Sequence, residues 1–179
     1  DNDRREEEGL THLGYEEHKR QSSSMKLRCA VLTVSDARTE ETDESGKAII
    51  DELRRGGHAI SHYEIVRNDR EAIRRTICKL LEREDVEAIF TTGGTGIGRH
   101  DFTVEVAGEL MEKVLDGFGE MFRALSYKEI GSGAIMSRAS MGLSKGKALV
   151  CMPGSRNAVV LAMKFLMPEL GHIAWEANR

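Results

Sequence analysis

The chain is predicted to be an α/β protein, a three-layer α/β/α sandwich around a mostly parallel sheet. Three observations predict it. From Met25 onward, short β-favouring runs alternate with segments of helical period. The runs Cys29 to Val34, Val86 to Thr92 and Ala148 to Met152 are apolar enough to be buried on both faces, as strands covered by helices on each side must be. Each main run is followed by glycine or short polar residues, and open parallel sheets bind their ligands at the carboxyl ends of the strands.

The elements follow in order. After the strand Cys29 to Val34, a helix over Ser45 to Arg55 carries Ala48, Ile49, Ile50 and Leu53 on one side and stops at Gly56-Gly57. Ile60 to Val66 is the second strand. Asp69 then stands where it can cap a helix with Ala72, Ile73, Ile77, Leu80 and Leu81 on one face. Val86 to Thr92 is the third strand. Thr103 is expected to cap a helix carrying Val106, Ala107, Leu110, Val114 and Leu115, interrupted at Gly117 and Gly119, before a further helical stretch with Phe118, Met121, Phe122 and Leu125. Ala148 to Met152 is another core strand. The final helix, Asn157 to Trp175, is expected to break at Pro168.

Length and composition bound the rest. The 179 residues suit one domain, assigned to residues 25–179, and 40% hydrophobic residues suffice for its core. Residues 1–24 hold seven acids, four bases and few apolar residues, and are expected to form a mobile N-terminal extension. The net charge of −4 argues against broad nucleic-acid or anionic-membrane binding, though a local loop can still hold a small anion. Three widely spaced cysteines (Cys29, Cys78, Cys151) without a C-x-x-C pair point to reduced core thiols. With no signal-peptide pattern and no apolar run near the ~20 residues of a membrane span, a cytoplasmic protein is the expectation.

Candidate site residues lie after the strands. Ser35 and Asp36 follow the first, and Arg67, Asn68 and Asp69 the second. Thr92-Gly93-Gly94-Thr95-Gly96 and then Asp101 follow the third, and Pro153-Gly154-Ser155 the last. The glycine loop is the strongest signal. Three glycines in four residues let the backbone approach a ligand and turn N–H groups inward, Thr92 and Thr95 add hydroxyls, and a helix N-terminus follows. It matches neither a Walker loop nor G-x-G-x-x-G, and a tight strand-to-helix turn would also use such glycines. A carboxylate beside a phosphate loop is repulsive without a cation, so Asp101 suggests Mg²⁺ held against phosphate oxygens; the alternative is a helix-start cap. Asp69 carries the same two readings. Pro153-Gly154-Ser155 can offer N–H groups and a hydroxyl to an anion, or form a plain turn. His58 and His62 share a strand face without metal-ligand spacing, and His100 reads as a solvated neighbour.

Thr92-Gly93-Gly94-Thr95-Gly96 followed by Asp101 resembles the signature of the MoaB/Mog family of molybdenum-cofactor biosynthesis. The resemblance extends to AVLTVSDAR at the first strand, Glu44-Ser45-Gly46, Asp69, GFGEMFR at 117–123, Ala134 to Ser140, and MPGS at 152–155, in that order over residues 25–175. It implies a molybdopterin-binding fold and a molybdopterin adenylyltransferase, which transfers AMP from ATP to the terminal phosphate of molybdopterin with Mg²⁺ and releases pyrophosphate. On that resemblance Asp69 and Asp101 would hold the metal. Residues 92–96 with Ser35 and Asp36 would bind the nucleotide and its phosphates. Ser137, Arg138, Pro153, Gly154 and Ser155 would bind molybdopterin. Two other readings stand beside it: a non-catalytic molybdopterin-binding paralogue, and a nucleotide-diphosphate hydrolase-like domain of the competence-damage type. The family also implies a homo-trimer or hexamer, for which Phe118, Met121, Phe122, Met163, Phe165 and Trp175 offer apolar surface.

Overall fold

The computed structural model describes residues 14–179. One six-stranded sheet runs in the order β2-β1-β3-β6-β5-β4. Strands β1 (Arg28–Val34), β2 (Ala59–Val66), β3 (Ala88–Thr92) and β6 (Lys147–Met152) are parallel. β5 (Ser140–Ser144) and the two-residue β4 (Lys113–Val114) add an antiparallel edge. The sheet is therefore mixed rather than uniformly parallel. Neither antiparallel strand was expected, because β5 is small and polar and β4 is two exposed residues.

Side chains alternate across the central strands into two separate cores. Leu27, Cys29, Val31, Ala88, Phe90, Val150 and Met152 pack with α2 (Glu44–Arg55), α5 (Asp116–Ile130) and α6 (Arg156–Ala177). Ala30, Leu32, Val34, Ile89, Leu149 and Cys151 pack with α3 (Arg70–Glu82) and α4 (Thr103–Leu110) on the other face. This is the three-layer arrangement, and each large apolar side chain so buried contributes roughly 1.5–3 kcal/mol. Burial pushes the Cys29 thiol up to about 12 and the Cys151 thiol up to about 11, so neither is a nucleophile near neutral pH.

Four local expectations change. The helix begun at Thr103 ends at Leu110, where Met111 turns extended (φ −74°, ψ 124°); Val114 enters β4, and Leu115 precedes α5. Gly117 and Gly119 lie in the first turn of α5, not in a break. Pro168 sits inside an unbroken α6: Leu166 and Leu170, both buried against the sheet, hold the helix across the missing hydrogen bond. By length and composition alone this 22-residue helix could cross a membrane, yet Val159, Ala162, Met163 and Leu166 face the core. Finally, Phe118, Phe122 and Met163 are core residues and Phe165 and Trp175 are only part-exposed, so of the six apolar residues expected at the surface only Met121 is prominently so. The exposed apolar side chains cluster instead at Tyr127, Ile130, Ile135 and Met136.

Residues 1–13 lie outside the described residues. Residues 14–22 form a helix, α1, which their composition did not signal. It lies on the later turns of α6: Tyr15 Oη donates to Glu169 (3.0 Å), and Gly171 leaves room for the Ser22 carbonyl.

Candidate functional site

The topology sets the site. From β1 the chain moves to β2 on one side, then returns past β1 to β3 on the other. The carboxyl ends of β1 and β3 therefore flank the point where connections diverge, the place such sheets bind ligands.

The glycine loop after β3 is held by backbone constraints that only glycine meets. Gly93 and Gly94 have φ of +92° and +66°. A Cβ on Gly93 would collide with the Val34 carbonyl, and one on Gly94 with the Thr103 hydroxyl. Thr103 does not cap α4 through its side chain. Its hydroxyl donates to the Gly93 carbonyl (2.8 Å) and its N–H to the Gly94 carbonyl (3.0 Å), tying the loop to the helix start. Thr92 likewise spends its hydroxyl on the Pro153 carbonyl (2.8 Å), so it joins two loops rather than offering a donor to a ligand. Gly154 packs against Gly93, and a Cβ there would sit 3.3 Å from the Gly93 Cα.

A cleft of about 520 Å³ opens beside this junction. It brings together Gly93, Gly94, Thr95, Gly96 and Asp101 with Ser137, Pro153, Gly154 and Ser155, residues from three separate segments. One wall is apolar, made by Phe122, Ile130, Met136 and Leu161. Asn157 and Ala158 bring in the first turn of α6, capped by Ser155 Oγ on the Ala158 N–H (3.2 Å). That first turn contains no acid, whereas α2, α3, α4 and α5 each have one, so its positive end is left uncompensated. Ser137 Oγ is buried with no partner among the described residues, and so is Asn68 Oδ1, which lies against Gly94. Buried polar atoms without partners are uncommon, and a ligand would supply what these lack.

The carboxylates occupy the same rim. Asp101 Oδ2 accepts from the Gly98 N–H (2.9 Å) and lies close against Gly96. Asp69 caps α3, Oδ1 accepting from the Ala72 N–H (2.8 Å). Each aspartate retains an oxygen without a hydrogen-bond partner among the described residues. The nearby arginines make their ion pairs elsewhere, Arg70 and Arg74 with Glu109 and Arg138 with Glu105, although Arg138 also lies within the field of Asp101. Ser35, Asp36 and Asp69 do not line the cleft; they follow the carboxyl ends of β1 and β2. Ser35 Oγ accepts from the N–H groups of Ala37 and Arg38, and Asp36 accepts from the Asn68 N–H (3.0 Å), which fixes the β2–α3 turn.

Arg138 is placed differently from its expected role. Its guanidinium forks onto Glu105 and donates to the Thr95 carbonyl (3.1 Å), bracing the glycine loop. The hydrogen bond and charge of Arg138 hold the Glu105 carboxyl below its ordinary range. The sequence also left Asp43 unremarked. It is fully buried and accepts from Thr33 Oγ1 (2.7 Å), Tyr63 Oη (2.6 Å), Ser45 Oγ (3.3 Å) and the Gly46 N–H (3.0 Å). Burial, then this contact, pushes the Tyr63 hydroxyl well above its usual value. The apolar wall was missed as well. Phe122 was assigned to the surface, and nothing in the spacing links Ile130 or Met136 to Leu161.

An α/β sandwich with a glycine loop, an uncompensated helix start and an apolar wall around one cleft has the form of a small-molecule-binding protein. Residues 30–172 match the family model of the probable molybdopterin binding domain. The chain is 47% identical over 165 residues to Molybdenum cofactor biosynthesis protein B of Bacillus anthracis, covering 91% of this chain and 97% of that relative. Its fold matches the crystal structure of a Molybdenum cofactor biosynthesis protein B with a TM-score of 0.84 at 46% identity, over 87% of this chain and 98% of that one. It matches the tungsten cofactor synthesizing protein MoaB from Pyrococcus furiosus with a TM-score of 0.79 at 34% identity, over 86% and 98%. The chain belongs to the MoaB family of molybdenum cofactor biosynthesis proteins.

Proposed function

We propose that the chain is a molybdopterin adenylyltransferase: an oxygen of the terminal phosphate of molybdopterin attacks the α-phosphorus of ATP, the bond to the β-phosphate oxygen breaks, and pyrophosphate leaves. The observation that carries the reading is the cleft itself, where an anion-binding loop, an orphaned Ser137 hydroxyl and an apolar wall meet beside carboxylates that form no ion pair among the described residues.

The attacking phosphate is already ionised at neutral pH, so no strong base is required, and catalysis consists of positioning and charge neutralisation. The backbone of 93–96 cradles phosphate oxygens, and the start of α6 with Ser155 takes a second anionic group. Phe122, Ile130, Met136 and Leu161 cover the flat pterin, with Ser137 as its hydrogen-bonding partner. Ser35 and Asp36 border the nucleotide. Arg138 acts by holding the glycine loop in shape. Asp69 and Asp101 fit a hard divalent cation, because each keeps a carboxylate oxygen unspent; Mg²⁺ there would offset the charge that accumulates on the nucleotide phosphates.

The test is product analysis. The purified chain with ATP, Mg²⁺ and molybdopterin should give adenylylated molybdopterin and one pyrophosphate per transfer. Binding of molybdopterin without product would point to the non-catalytic paralogue, and pyrophosphate-bond cleavage without molybdopterin to a hydrolase. We also propose a trimer or hexamer, with Met121, Tyr127 and Ile135 as the apolar surface to be covered. Light scattering that finds only monomer at micromolar concentration would refute it.

A further inference from the structure

Among the described residues, one cluster of metal-ligating side chains lies away from the cleft, where α1 crosses the later turns of α6. His18 Nδ1 is 3.5 Å from Glu176 Oε1, and His172 Nε2 is 3.6 Å from the same oxygen. One ligand atom from each of the three residues falls within a 4.8 Å group. His172 and Glu176 are four apart on α6 and so share a face, and His18 is delivered from α1.

Two features separate this cluster from an ordinary surface pair. The first is outer-shell support. Glu169 Oε2 lies 3.4 Å from His172 Nδ1, the carboxylate–imidazole arrangement that orients metal-bound histidines and leaves Nε2 as the ligating atom. Glu169 is fixed in turn by Tyr15 and Lys19 of α1. The second is electrostatic. In the tautomer with Nδ1–H held by Glu169, the Nε2 lone pair of His172 faces the Glu176 carboxylate, and a cation between the two atoms would turn that contact into two bonds. The rings are also held: His172 meets Tyr15 edge-on at 5.3 Å, and His18 packs at a tilt against Trp175 at 4.9 Å.

The geometry points to a divalent transition-metal site of zinc type, with His18, His172 and Glu176 as ligands and water in the fourth position, fastening α1 to α6. Bonds of about 2.0–2.1 Å in a tetrahedron place ligands roughly 3.3 Å apart, close to the two observed separations. A nitrogen-rich set with one carboxylate suits zinc over magnesium or calcium. His172 and Glu176 also line a surface cavity of about 430 Å³, which gives the ion a route in. Arg179 approaches Glu176 to 3.6 Å, and the metal would displace it; Lys19 is occupied with Glu169 and need not move.

The test uses the full chain, stripped with chelator and titrated with Zn²⁺ alone near pH 7 by calorimetry. The expected result is one tight Zn²⁺ per chain. His18→Gln and Glu176→Gln should each weaken binding at least as much as loss of the supporting Glu169, about 10–100-fold. His18 and Glu176 are partly exposed, so neither change should unfold the chain. His100→Gln, at an exposed histidine elsewhere, should leave the affinity unchanged. Zn²⁺ should also slow proteolysis within residues 14–22, and His18→Gln should abolish that protection. Absence of stoichiometric binding, or an affinity unmoved by both His18→Gln and Glu176→Gln, would overturn the proposal.

Discussion

Helices α2 and α3 both begin with an aspartate that caps them, and the two starts are built for different ends. Asp43, before α2, is wholly buried and receives four donors, from Thr33, Ser45, Gly46 and Tyr63. Asp69, before α3, is exposed and receives one, from Ala72. A carboxylate whose oxygens are all engaged is part of the scaffold. One that caps a helix with a single oxygen still has an oxygen, and its charge, to give to a ligand. Asp101 caps no helix, and it too has a single donor on it, the Gly98 N–H, which it holds within the loop. At Asp69, therefore, capping and ligand binding are not alternatives, because one residue can do both.

The largest effect expected from this contrast is on rate. Asp101→Asn keeps an acceptor for the Gly98 N–H but loses the charge and a hard oxygen. Turnover of adenylyl transfer should fall on the order of 10²–10⁴, roughly 3–5 kcal/mol of transition-state stabilisation, while the melting temperature barely moves. Near-normal turnover would reduce Asp101 to a loop clamp. Asp43→Ala should behave in the opposite way. It strands the Thr33 and Tyr63 hydroxyls in the core and removes a cap, costing about 2–4 kcal/mol of stability by denaturant unfolding. A stability loss below about 1 kcal/mol would show that the buried network is not what holds the start of α2.

These two residues also show what the sequence makes legible. The four central strands, α2, α3 and the glycine loop follow from periodicity and from residues with few conformational options, and each lies within a residue or two of its expected place. Asp69 and Asp101 were legible as candidates, since each follows a strand end. Whether a carboxylate is spent or available depends on partners distant in sequence, such as Tyr63 for Asp43, and no local pattern carries that. The present partners of Arg138 were illegible for the same reason: Glu105 and the Thr95 carbonyl, which occupy its guanidinium, are brought to it only by the packed sheet. The antiparallel edge was illegible because β5 and β4 are short and lack β-branched residues in the first and length in the second. The apolar wall of the cleft is assembled from α5, the 3₁₀ turn after it and α6, elements whose meeting no spacing encodes.

Smaller effects sharpen the picture of the loop. Gly94→Ala must hold a Cβ at φ +66° against the Thr103 hydroxyl, for a cost of about 2 kcal/mol or more in stability. A melting temperature like that of the wild type would mean the loop relaxes freely. The Arg138–Glu105 brace should show in acid. Because Glu105 is held below the ordinary glutamate value of 4.5 in the folded chain, its contribution is present above that pH and is lost as the pH falls through the lowered value. The stability gap between wild type and Glu105→Gln should be under about 1 kcal/mol at neutral pH, as both side chains are partly exposed, and should shrink as the pH falls below the ordinary glutamate value of 4.5. A gap that widens on acidification would contradict the brace.

The claim that Asp69 and Asp101 give their unspent oxygens to one cation is tested most directly by a double-mutant cycle in turnover, measured at saturating Mg²⁺ with Asp69→Asn, Asp101→Asn and the pair. Both substitutions preserve the local acceptor, so the scaffold is held constant. If the two carboxylates serve one ion, the double variant should be little slower than the slower single variant. If the two rate losses multiply, the aspartates act independently and the shared-ion account of this rim is wrong.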